Sequence, residues 1–426
     1  MNRLIKTVLL AVCLISVPLL PANSQEFNDF YGNIADYLSK IYGIDNNAGL
    51  TAFPILKIPM GGRSEGMAGA FAAVADDISF IEYNPAGSSL LTYSELALFH
   101  NNWIADSKIE SIAYANRLGE LGFAAGVKWL YLPFTEYNIY GDRVSGGYYS
   151  EGVVILNASY NFLSSYDFNG LSFGVNLKGA FRLMPDYTDN FNNILKGSGM
   201  SQSAIMAMAD LGLLTRFNFL KGYSAREKNT SAAIVIRNLG PPVMGEPLPT
   251  SASVAFSYKP LRPLTIALDF TVPMNLTDIS LSEKPYGSLG ISANITNFLS
   301  MRAGFMYKPG SSRINIGSAV NLNYVSVDVN YTLDMLTQLQ PLNRISIGLR
   351  LNLGDGGRMQ LAEKVDDLYM LGLEAFSRGD FANARICWEE ALRLDPKYEP
   401  AKDHLLMLQG REDLSRRIDD LYRLDL

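Results

Sequence analysis

The sequence predicts a mainly β protein: a transmembrane antiparallel β-barrel of about fourteen strands, with an N-terminal hatch in its lumen and a small C-terminal α-helical domain. Three observations predict this fold class. Between residues 95 and 354 apolar and polar residues alternate with period two, as in strands that are apolar on one face. The chain is 48% hydrophobic, yet beyond its first residues it has no apolar run long enough for a transmembrane helix. From Arg358 onward the apolar period becomes helical.

Residues 1–24 are predicted to be a signal peptide. Two basic residues precede an apolar stretch at 8–20, and Ala22 and Ser24 place small residues where a signal peptidase cleaves, before Gln25. A membrane anchor is the alternative, for which the apolar stretch is short. We therefore expect an exported chain.

The composition argues against several functional classes. Without the signal peptide Cys387 is the single cysteine, so no intramolecular disulfide can form. With only two histidines, His100 and His404, we expect no metal site and no cofactor. The net charge of −6 argues against a nucleic-acid partner. A lipid hydrolase would need a serine, a histidine and an acid within reach, and His100 has no telling serine motif, so we expect no catalytic residues and no enzyme.

The barrel prediction covers residues 95–354. The stretch LTIALDFTV, from Leu264, shows the pattern: every second residue is bulky and apolar, and those between are small or polar. Fourteen such segments start near residues 95, 107, 120, 149, 170, 203, 230, 250, 263, 286, 299, 313, 324 and 344. An even number of strands brings both chain ends of a barrel to one side. A soluble β-sandwich or propeller is the alternative, with shorter strands and a more charged second face.

The connection lengths give a separate prediction. The links after strands 3, 5, 7, 9 and 13 are long, for example at 134–147, and those after strands 2, 8, 10 and 12 are nearly absent. Long outer loops that alternate with short periplasmic turns are typical of outer-membrane barrels. The link after strand 6 is longer than this pattern predicts.

Residues 25–94 precede the barrel and have no place in its wall. A fourteen-stranded barrel has a lumen too wide for its own side chains to fill, so we expect this segment to plug it. Its glycines and alanines allow the backbone to approach the wall closely. Asn84 and Pro85 form a rigid turn. The adjacent acids of the segment need partners inside a lumen, for which the candidates are Lys178, Arg182 and Arg350.

Two motifs of this segment resemble a known family. Ala75-Asp76-Asp77 and Asn84-Pro85-Ala86-Gly87 are similar in residue and spacing to the hatch of the long-chain fatty-acid transporters (FadL-type) of bacterial outer membranes. The arrangement resembles even more closely an uncharacterised family of spirochaete outer-membrane proteins of that type. The resemblance implies hatch and gating roles for Asp76, Asp77, Asn84, Pro85, Ala86 and Gly87. A plain turn is the alternative for the second motif taken alone.

The same resemblance implies a mechanism. A hydrophobic ligand is captured at the outer loops, passes a hatch that shifts, and leaves sideways through a gap in the wall. Residues of the long outer links are candidate ligand contacts, and packing of each loop on itself is the alternative. The candidates are Phe134, Tyr137, Tyr140, Arg143, Phe191 and Lys196, the two cations by location only.

Residues 355–426 are predicted to form a periplasmic helical domain. The 34 residues at 365–398 resemble one tetratricopeptide repeat. Because one repeat cannot bury its own apolar face, further helices or a partner must complete its core. We expect Cys387 and His404 to be packing residues. The residues at the signature positions of the repeat are Leu371, Gly372, Ala384, Trp388, Ala391 and Pro396.

From the sequence we expect an outer-membrane transporter for long-chain fatty acids or similar hydrophobic small molecules. Its partners would be that ligand and the lipid of the outer membrane. Typical fatty-acid transporters end at the last strand, so the helical tail is a departure from the family. The alternative is therefore a barrel that anchors or docks an envelope secretion or assembly complex, with the tail binding a periplasmic protein.

Overall fold

A computed structural model describes residues 45–424, apart from 104–105, 139, 167, 189–193, 225–226 and 336–343. The expected signal peptide, the first part of the expected hatch (25–44) and Phe191 lie outside the described residues.

Fourteen antiparallel strands close into a barrel, with β1 paired to β14. The closing pair runs from Glu95 opposite Asn352 to Asn101 opposite Ser346. The predicted barrel is thereby confirmed. The strands are β1 (Glu95–Asn102), β2 (Lys108–Leu118), β3 (Leu121–Tyr137), β4 (Arg143–Phe162), β5 (Leu171–Leu183), β6 (Ala204–Phe217), β7 (Thr230–Leu239), β8 (Ser251–Leu261), β9 (Leu264–Pro273), β10 (Tyr286–Asn294), β11 (Leu299–Tyr307), β12 (Arg313–Asn321), β13 (Val325–Asp334) and β14 (Arg344–Asn352).

The hairpin of β3 and β4 corrects one prediction. The expected long loop at 134–147 is wrong, because β3 continues to Tyr137 and β4 already begins at Arg143. Phe134 pairs with Gly147 in this extension. Glycine at this position leaves room for the Phe134 ring, which lies 3.0 Å from where a Cβ would stand. The two glycines of this stretch interrupt the alternating pattern in the sequence, which accounts for the predicted start of β4 near residue 149.

The two faces of the barrel wall differ in chemistry. Outward residues such as Leu98, Ile112 and Leu156 are exposed, whereas inward residues such as Asn157 and Asn176 are buried. This is the apolar-out, polar-in alternation of strands that separate lipid from a polar lumen. Among the described residues, none of the helices has the length and apolar character needed to cross a bilayer.

Residues 45–94 run through the lumen. We call the end of the barrel where β1 begins and β14 ends the tail end, and the opposite end the far end. A 3-10 turn at Pro54–Lys57 is followed by α1 (Gly62–Gly66), α2 (Phe80–Tyr83) and a second 3-10 turn at Pro85–Leu90. A proline in the first turn of each 3-10 segment fits its fixed φ to that position.

Three helices form the tail: α3 (Arg358–Ser377), α4 (Phe381–Leu394) and α5 (Glu399–Leu424). Asp380 caps α4 by accepting a hydrogen bond from the Asn383 N–H at 3.2 Å. Trp388 is fully buried, and Gly372 lies against its indole ring. A side chain at position 372 would overlap that ring, which accounts for the glycine.

The signature residues of the repeat divide into two groups. Ala384, Trp388 and Ala391 form the tail core with Gly372 beneath them, as expected. Leu371 is 53% exposed, and Pro396 is exposed in the turn between α4 and α5. His404 packs with its ring centroid 4.9 Å from that of Trp388. Cys387 is a partly buried free cysteine.

The tail is docked on the rim of the barrel. Arg358, the first residue of α3, donates to the carbonyls of Thr92 at 2.7 Å and Arg117 at 2.6 Å. Lys397 lies 2.9 Å from the Glu120 carboxylate, in the turn between β2 and β3. The tail is therefore fixed at two points, one of them beside the segment that joins the hatch to β1.

A second set of contacts surrounds the Lys397 ion pair. The rings of Tyr166 and Tyr398 meet edge to face at 5.4 Å between centroids, and Lys397 Nζ also lies 2.5 Å from Ser164 Oγ. Burial raises the pKa of Glu120, but hydrogen bonds from Lys397, Ser164 and Asn161 outweigh burial and hold this pKa below its ordinary value. The carboxylate is therefore charged at neutral pH.

Candidate functional site

The Asn84-Pro85-Ala86-Gly87 motif binds the hatch to the wall. The Asn84 side chain accepts from the Ala86 N–H at 3.0 Å and donates to Ala72 O at 2.8 Å and to Leu213 O of β6 at 3.3 Å. Pro85 O in turn accepts from the Asn157 side chain of β4 at 2.9 Å. The motif is thus more than a turn, because the Asn84 side chain and the Pro85 carbonyl form hydrogen bonds with buried groups on two strands.

The wall carries glycines where the hatch comes closest. Gly122, Gly174 and Gly212, on β3, β5 and β6, face Ser88, Pro85 and Asn84 respectively, and a Cβ on any of them would overlap the hatch. At Gly212 that atom would lie 2.8 Å from Pro85 Cδ. The sequence reasoning assigned close approach to the small residues of the hatch and missed these wall glycines. The signal for them is a glycine at a lumen-facing position of an alternating strand.

Both acids of the hatch have cationic partners. Asp76 lies 2.7 Å from Arg63 Nη1 of the hatch itself and 4.0 Å from Lys259 Nζ. Asp77 lies 2.8 Å from Arg350 Nη1 on β14. The structure therefore pairs Arg350 with Asp77, as expected from the sequence.

The other two expected partners are engaged elsewhere. Lys178 lies 2.6 Å from Asp210, and Arg182 lies 3.7 Å from Glu246. Both are nearer the far end than the two hatch acids are. The pairing therefore depends on how far along its strand each residue lies, and the residue type alone does not give that position.

Further ion pairs between hatch and wall were missed. Glu65 lies 2.7 Å from Arg344 on β14, and Glu82 lies 2.5 Å from Lys128 on β3. In addition, Asp269 on β9 accepts from the N–H groups of Phe71 and Ala72 at 3.2 and 2.9 Å. Charges at lumen positions of the strands are the sequence signal for these contacts.

A cavity of about 220 Å³ lies between the hatch and the far end. Its floor includes Tyr83 and Glu82 of α2, and its wall includes residues from β3 to β14. Apolar lining residues, among them Ile55, Leu248 and Met306, lie beside charged ones. The lining therefore suits a molecule with an apolar and a polar part.

A segment that we call the strap, residues 45–59, crosses the far end above this cavity. Lys57 Nζ lies 2.5 Å from Glu283 Oε1, and Lys308 Nζ lies 2.7 Å from Glu283 Oε2. Asp45 accepts from the Lys284 N–H at 2.7 Å. Burial raises the pKa of Glu283, but Lys308 and Lys57 outweigh burial and lower this pKa to about 2. The strap is therefore held by charge at neutral pH.

The ligand contacts predicted from loop location do not line the cavity. Phe134, Tyr137 and Arg143 lie in the β3–β4 hairpin and Tyr140 at its tip, 82% exposed. Lys196 is exposed in the connection after β5. The cavity lies deeper than these residues, under the strap, and their role as ligand contacts at the outer loops stays a prediction.

The described residues contain no group of three or more histidine, cysteine, aspartate or glutamate side chains placed to hold a metal ion. His100 lies 2.7 Å from Glu110 and 3.1 Å from Asn102. Neither contact supplies a nucleophile, so these three residues do not form a hydrolytic triad.

A family model described as an uncharacterised protein family (UPF0164) matches residues 34–356, which span the hatch and the whole barrel. The chain belongs to this family. A UPF0164 protein of Treponema pallidum (strain Nichols) is 30% identical over 361 residues, covering 81% of this chain and 80% of the relative. Another from the same organism is 26% identical over 407 residues, covering 86% and 77%. A tetratricopeptide-repeat model matches residues 365–398, the stretch predicted from the sequence.

Among solved structures, the CymD monoaromatic hydrocarbon channel is 15% identical with a TM-score of 0.47, covering 71% of this chain and 99% of that chain. CdiB from Acinetobacter baumannii is 11% identical with a TM-score of 0.38, covering 61% and 59%.

Proposed function

We propose that the protein is an outer-membrane transporter for long-chain fatty acids or similar hydrophobic small molecules, closed at rest by its hatch. One observation carries the proposal: a part-apolar cavity inside the lumen is bounded by the hatch on one side and by the strap on the other. A ligand in this cavity can continue to the tail end of the barrel only if the hatch moves.

Placement in the membrane follows from the wall. Exposed apolar side chains on every side of the barrel would aggregate in water, whereas lipid accommodates them. Four of the six tail-end connections, 119–120, 262–263, 295–298 and 322–324, are short, as periplasmic turns are, and the other two, 163–170 and 218–229, are longer. We therefore place the tail end and its helices in the periplasm and the far end outside the cell.

The wall offers a sideways exit between β6 and β7. Ala209 pairs with Leu239, the register shifts next to it, and the residues of β6 before Ala209 pair with β5 alone. At the shift the Asn238 N–H donates to the Asp210 side chain at 2.7 Å. Asn238 and Leu248 line the cavity here, which supports a route from the cavity to the lipid.

The gating assignment to Asp76, Asp77 and Asn84-Pro85-Ala86-Gly87 stays part of this proposal. Their contacts with wall residues are the ones that a moving hatch must break. The part of the hatch below the strap contacts the wall from β2 to β14, whereas the strap is held by ion pairs around Glu283 and by buried hydrogen bonds to Glu151 and Lys128.

An engineered disulfide that reversibly fixes the hatch to the wall tests the proposal. Ser89 Oγ of the hatch lies 2.5 Å from Ser172 Oγ of β5, close enough for a disulfide after replacement of both residues. In a Cys387→Ser background, Ser89→Cys/Ser172→Cys should take up labelled fatty acid only after reduction. Single-cysteine variants serve as the matched control. Equal uptake by the oxidised and reduced pair would contradict transport through a moving hatch.

Docking of a periplasmic protein by the tail is the second candidate function. It is favoured by Met370 and Leu371, which are 61% and 53% exposed on α3 although the tail is already fixed on the rim. The variant Met370→Asp/Leu371→Asp should lose a crosslinked envelope protein while retaining fatty-acid uptake. Loss of uptake together with an unchanged crosslink would contradict this candidate.

A further inference from the structure

Two arginines stand out among the cations of the cavity. Of the seven cationic side chains that line it, five are paired and two are not. The pairs are Lys57 and Lys308 with Glu283, Lys128 with Glu82, Lys178 with Asp210, and Arg344 with Glu65. Arg237 and Arg313 form no ion pair with any described residue, and the Nε of each is buried without a hydrogen-bond partner.

Arg237 is held near the end of β7 by neutral groups. Its guanidinium lies 5.8 Å from the ring centroid of Tyr83, and its Nη2 donates to Ser253 Oγ at 3.3 Å. Hydroxyls of Ser251 and Thr271 on the neighbouring strands line the same cavity. The ring and the hydroxyl orient the guanidinium without supplying a direct ion pair.

Arg313 begins β12 and shares its surroundings with Arg344. Both guanidiniums lie over the Trp103 ring, at 5.9 and 4.4 Å, and the one carboxylate in contact there, that of Glu65, pairs with Arg344. Nη2 of Arg313 donates only to Ser311 Oγ, at 3.1 Å. Among the described residues, Arg313 therefore has no carboxylate in ion-pair contact, and Asp334 of β13 stands opposite it in the ladder.

A partly buried guanidinium without a carboxylate partner is stabilised by an anion that binds it. Its planar fork matches the two oxygens of a carboxylate or the oxygens of a sulfate or phosphate. The cavity of about 220 Å³ is many times the space that a single water requires. It has room for an anionic group and a short apolar part, which Ile55, Leu248 and Met306 can contact.

We propose that Arg237 and Arg313 bind the anionic group of an amphiphilic ligand, a carboxylate or a sulfate or phosphate ester, whose apolar part contacts the apolar lining. Strands β8–β11 lie between the two arginines, so one anionic group contacts one guanidinium at a time. The inference rests on the transport function proposed above, and it excludes neutral hydrocarbons as preferred ligands.

The test compares ligands of equal chain length on the full chain in a nonionic detergent. Binding of decanoate, decanol and inorganic phosphate is measured by calorimetry for the wild type, Arg237→Gln, Arg313→Gln and the double variant. Arg393→Gln, a change on the exposed face of the tail, is the matched control. Retention of the folded form on unheated gels shows that each barrel has assembled.

We expect the wild type to bind decanoate at least tenfold more tightly than decanol. Because either arginine can bind the anionic group, each single variant should lose no more than about twofold in decanoate affinity, whereas the double variant should lose about tenfold and with it the preference for the anion. Decanol affinity should change less than twofold in all variants. Arg393→Gln should match the wild type.

Three results would overturn the inference. Equal binding of decanoate and decanol, unchanged in the variants, would reject the anion site but leave transport of hydrophobic molecules standing. Phosphate binding as tight as decanoate binding would reject an amphiphilic ligand. Failure of the wild type to bind either decanoate or decanol would reject the proposed function and this inference with it.

Discussion

The Arg350 guanidinium on the last strand lies 2.8 Å from the Asp77 carboxylate of the hatch. The same guanidinium lies 3.7 Å from Glu95, the first residue of β1. One side chain therefore joins the hatch to both strands that close the barrel.

Replacing Arg350 with glutamine should loosen the hatch. It leaves Asp77 and Glu95 buried without their cation, and breaking a buried pair costs about 3–5 kcal/mol. We expect larger and more frequent ion-conducting openings in planar bilayers than for the wild type. Asp77→Asn/Arg350→Gln should be closer to the wild type than Arg350→Gln alone, because no buried carboxylate at position 77 is left charged. Identical conductance in all three proteins would contradict a closing role for this pair.

Asn84→Ala should destabilise the hatch turn. The change removes the acceptor of the Ala86 N–H and the donor to Ala72 O, at about 1–3 kcal/mol for each buried group left unpaired. Limited proteolysis should cleave the hatch faster while the barrel persists. Asn323→Ala, in an exposed tail-end turn, is the control and should be cleaved at the wild-type rate.

A methyl group at Gly174 should displace the hatch. Gly174→Ala places a Cβ against the Pro85 backbone, and overpacking of this kind costs about 1–3 kcal/mol. Gly179→Ala on the same strand is the matched control, because nothing lies within 4 Å of its added Cβ. Thermal unfolding followed on semi-native gels should show a lower midpoint for the first variant alone. Equal midpoints would mean that the close approach at Gly174 relaxes freely.

The strap should open only at strongly acidic pH. The pKa of Glu283 is lowered from 4.5 to about 2, so its stabilising contribution is fully present above pH 4.5 and is lost as the pH falls towards 2. Hydrogen exchange of residues 49–57 should be unchanged from pH 7 to 5, after correction for the intrinsic rate. In Glu283→Gln the same residues should exchange faster at every pH. Loss of protection between pH 7 and 5 in the wild type would contradict the assignment.

Breaking the Lys397–Glu120 contact should free one of the two attachment points of the tail. Glu120→Gln removes the charge that Lys397 meets at the rim, and Arg393→Gln, which breaks an exposed pair within α4, is the control. Crosslinking between cysteines introduced at Tyr166 and Tyr398 in a Cys387→Ser background should slow severalfold in the first variant. An unchanged rate would show that the Arg358 contacts hold the tail alone.

The strands of the wall are well predicted from the sequence, because the alternation that identifies each strand lies within that strand. Lipid outside and a polar lumen inside impose period two on every strand, and all predicted strand starts but that of β4 fall within one residue of the structure. The helical tail was recognised for the same reason, through spacing around Trp388 and Gly372.

The contacts of the site are harder to predict from the sequence, because they join residues that lie far apart in the chain. Which lumen charge meets which hatch acid depends on height along the strand and on the path of the hatch, so Arg350 was found while Arg344 and Lys128 were not. Arg237 and Arg313 are single charges in alternating strands, and nothing local shows that they lack a carboxylate. The loop residues predicted to contact a ligand lie outside the cavity below the strap, and their role stays a prediction.

The course of residues 45–94 has a consequence for biogenesis. The chain passes from the strap at the far end through the lumen and leaves at the tail end as β1, so the wall surrounds a segment that is synthesised before any strand. After β1 and β14 have paired, the segment can enter only by passing along the axis of the closed cylinder. Assembly of the strands around the hatch avoids that passage, and the arrival of Arg344 and Arg350 on the last strand then both closes the cylinder and completes the anchoring of its contents.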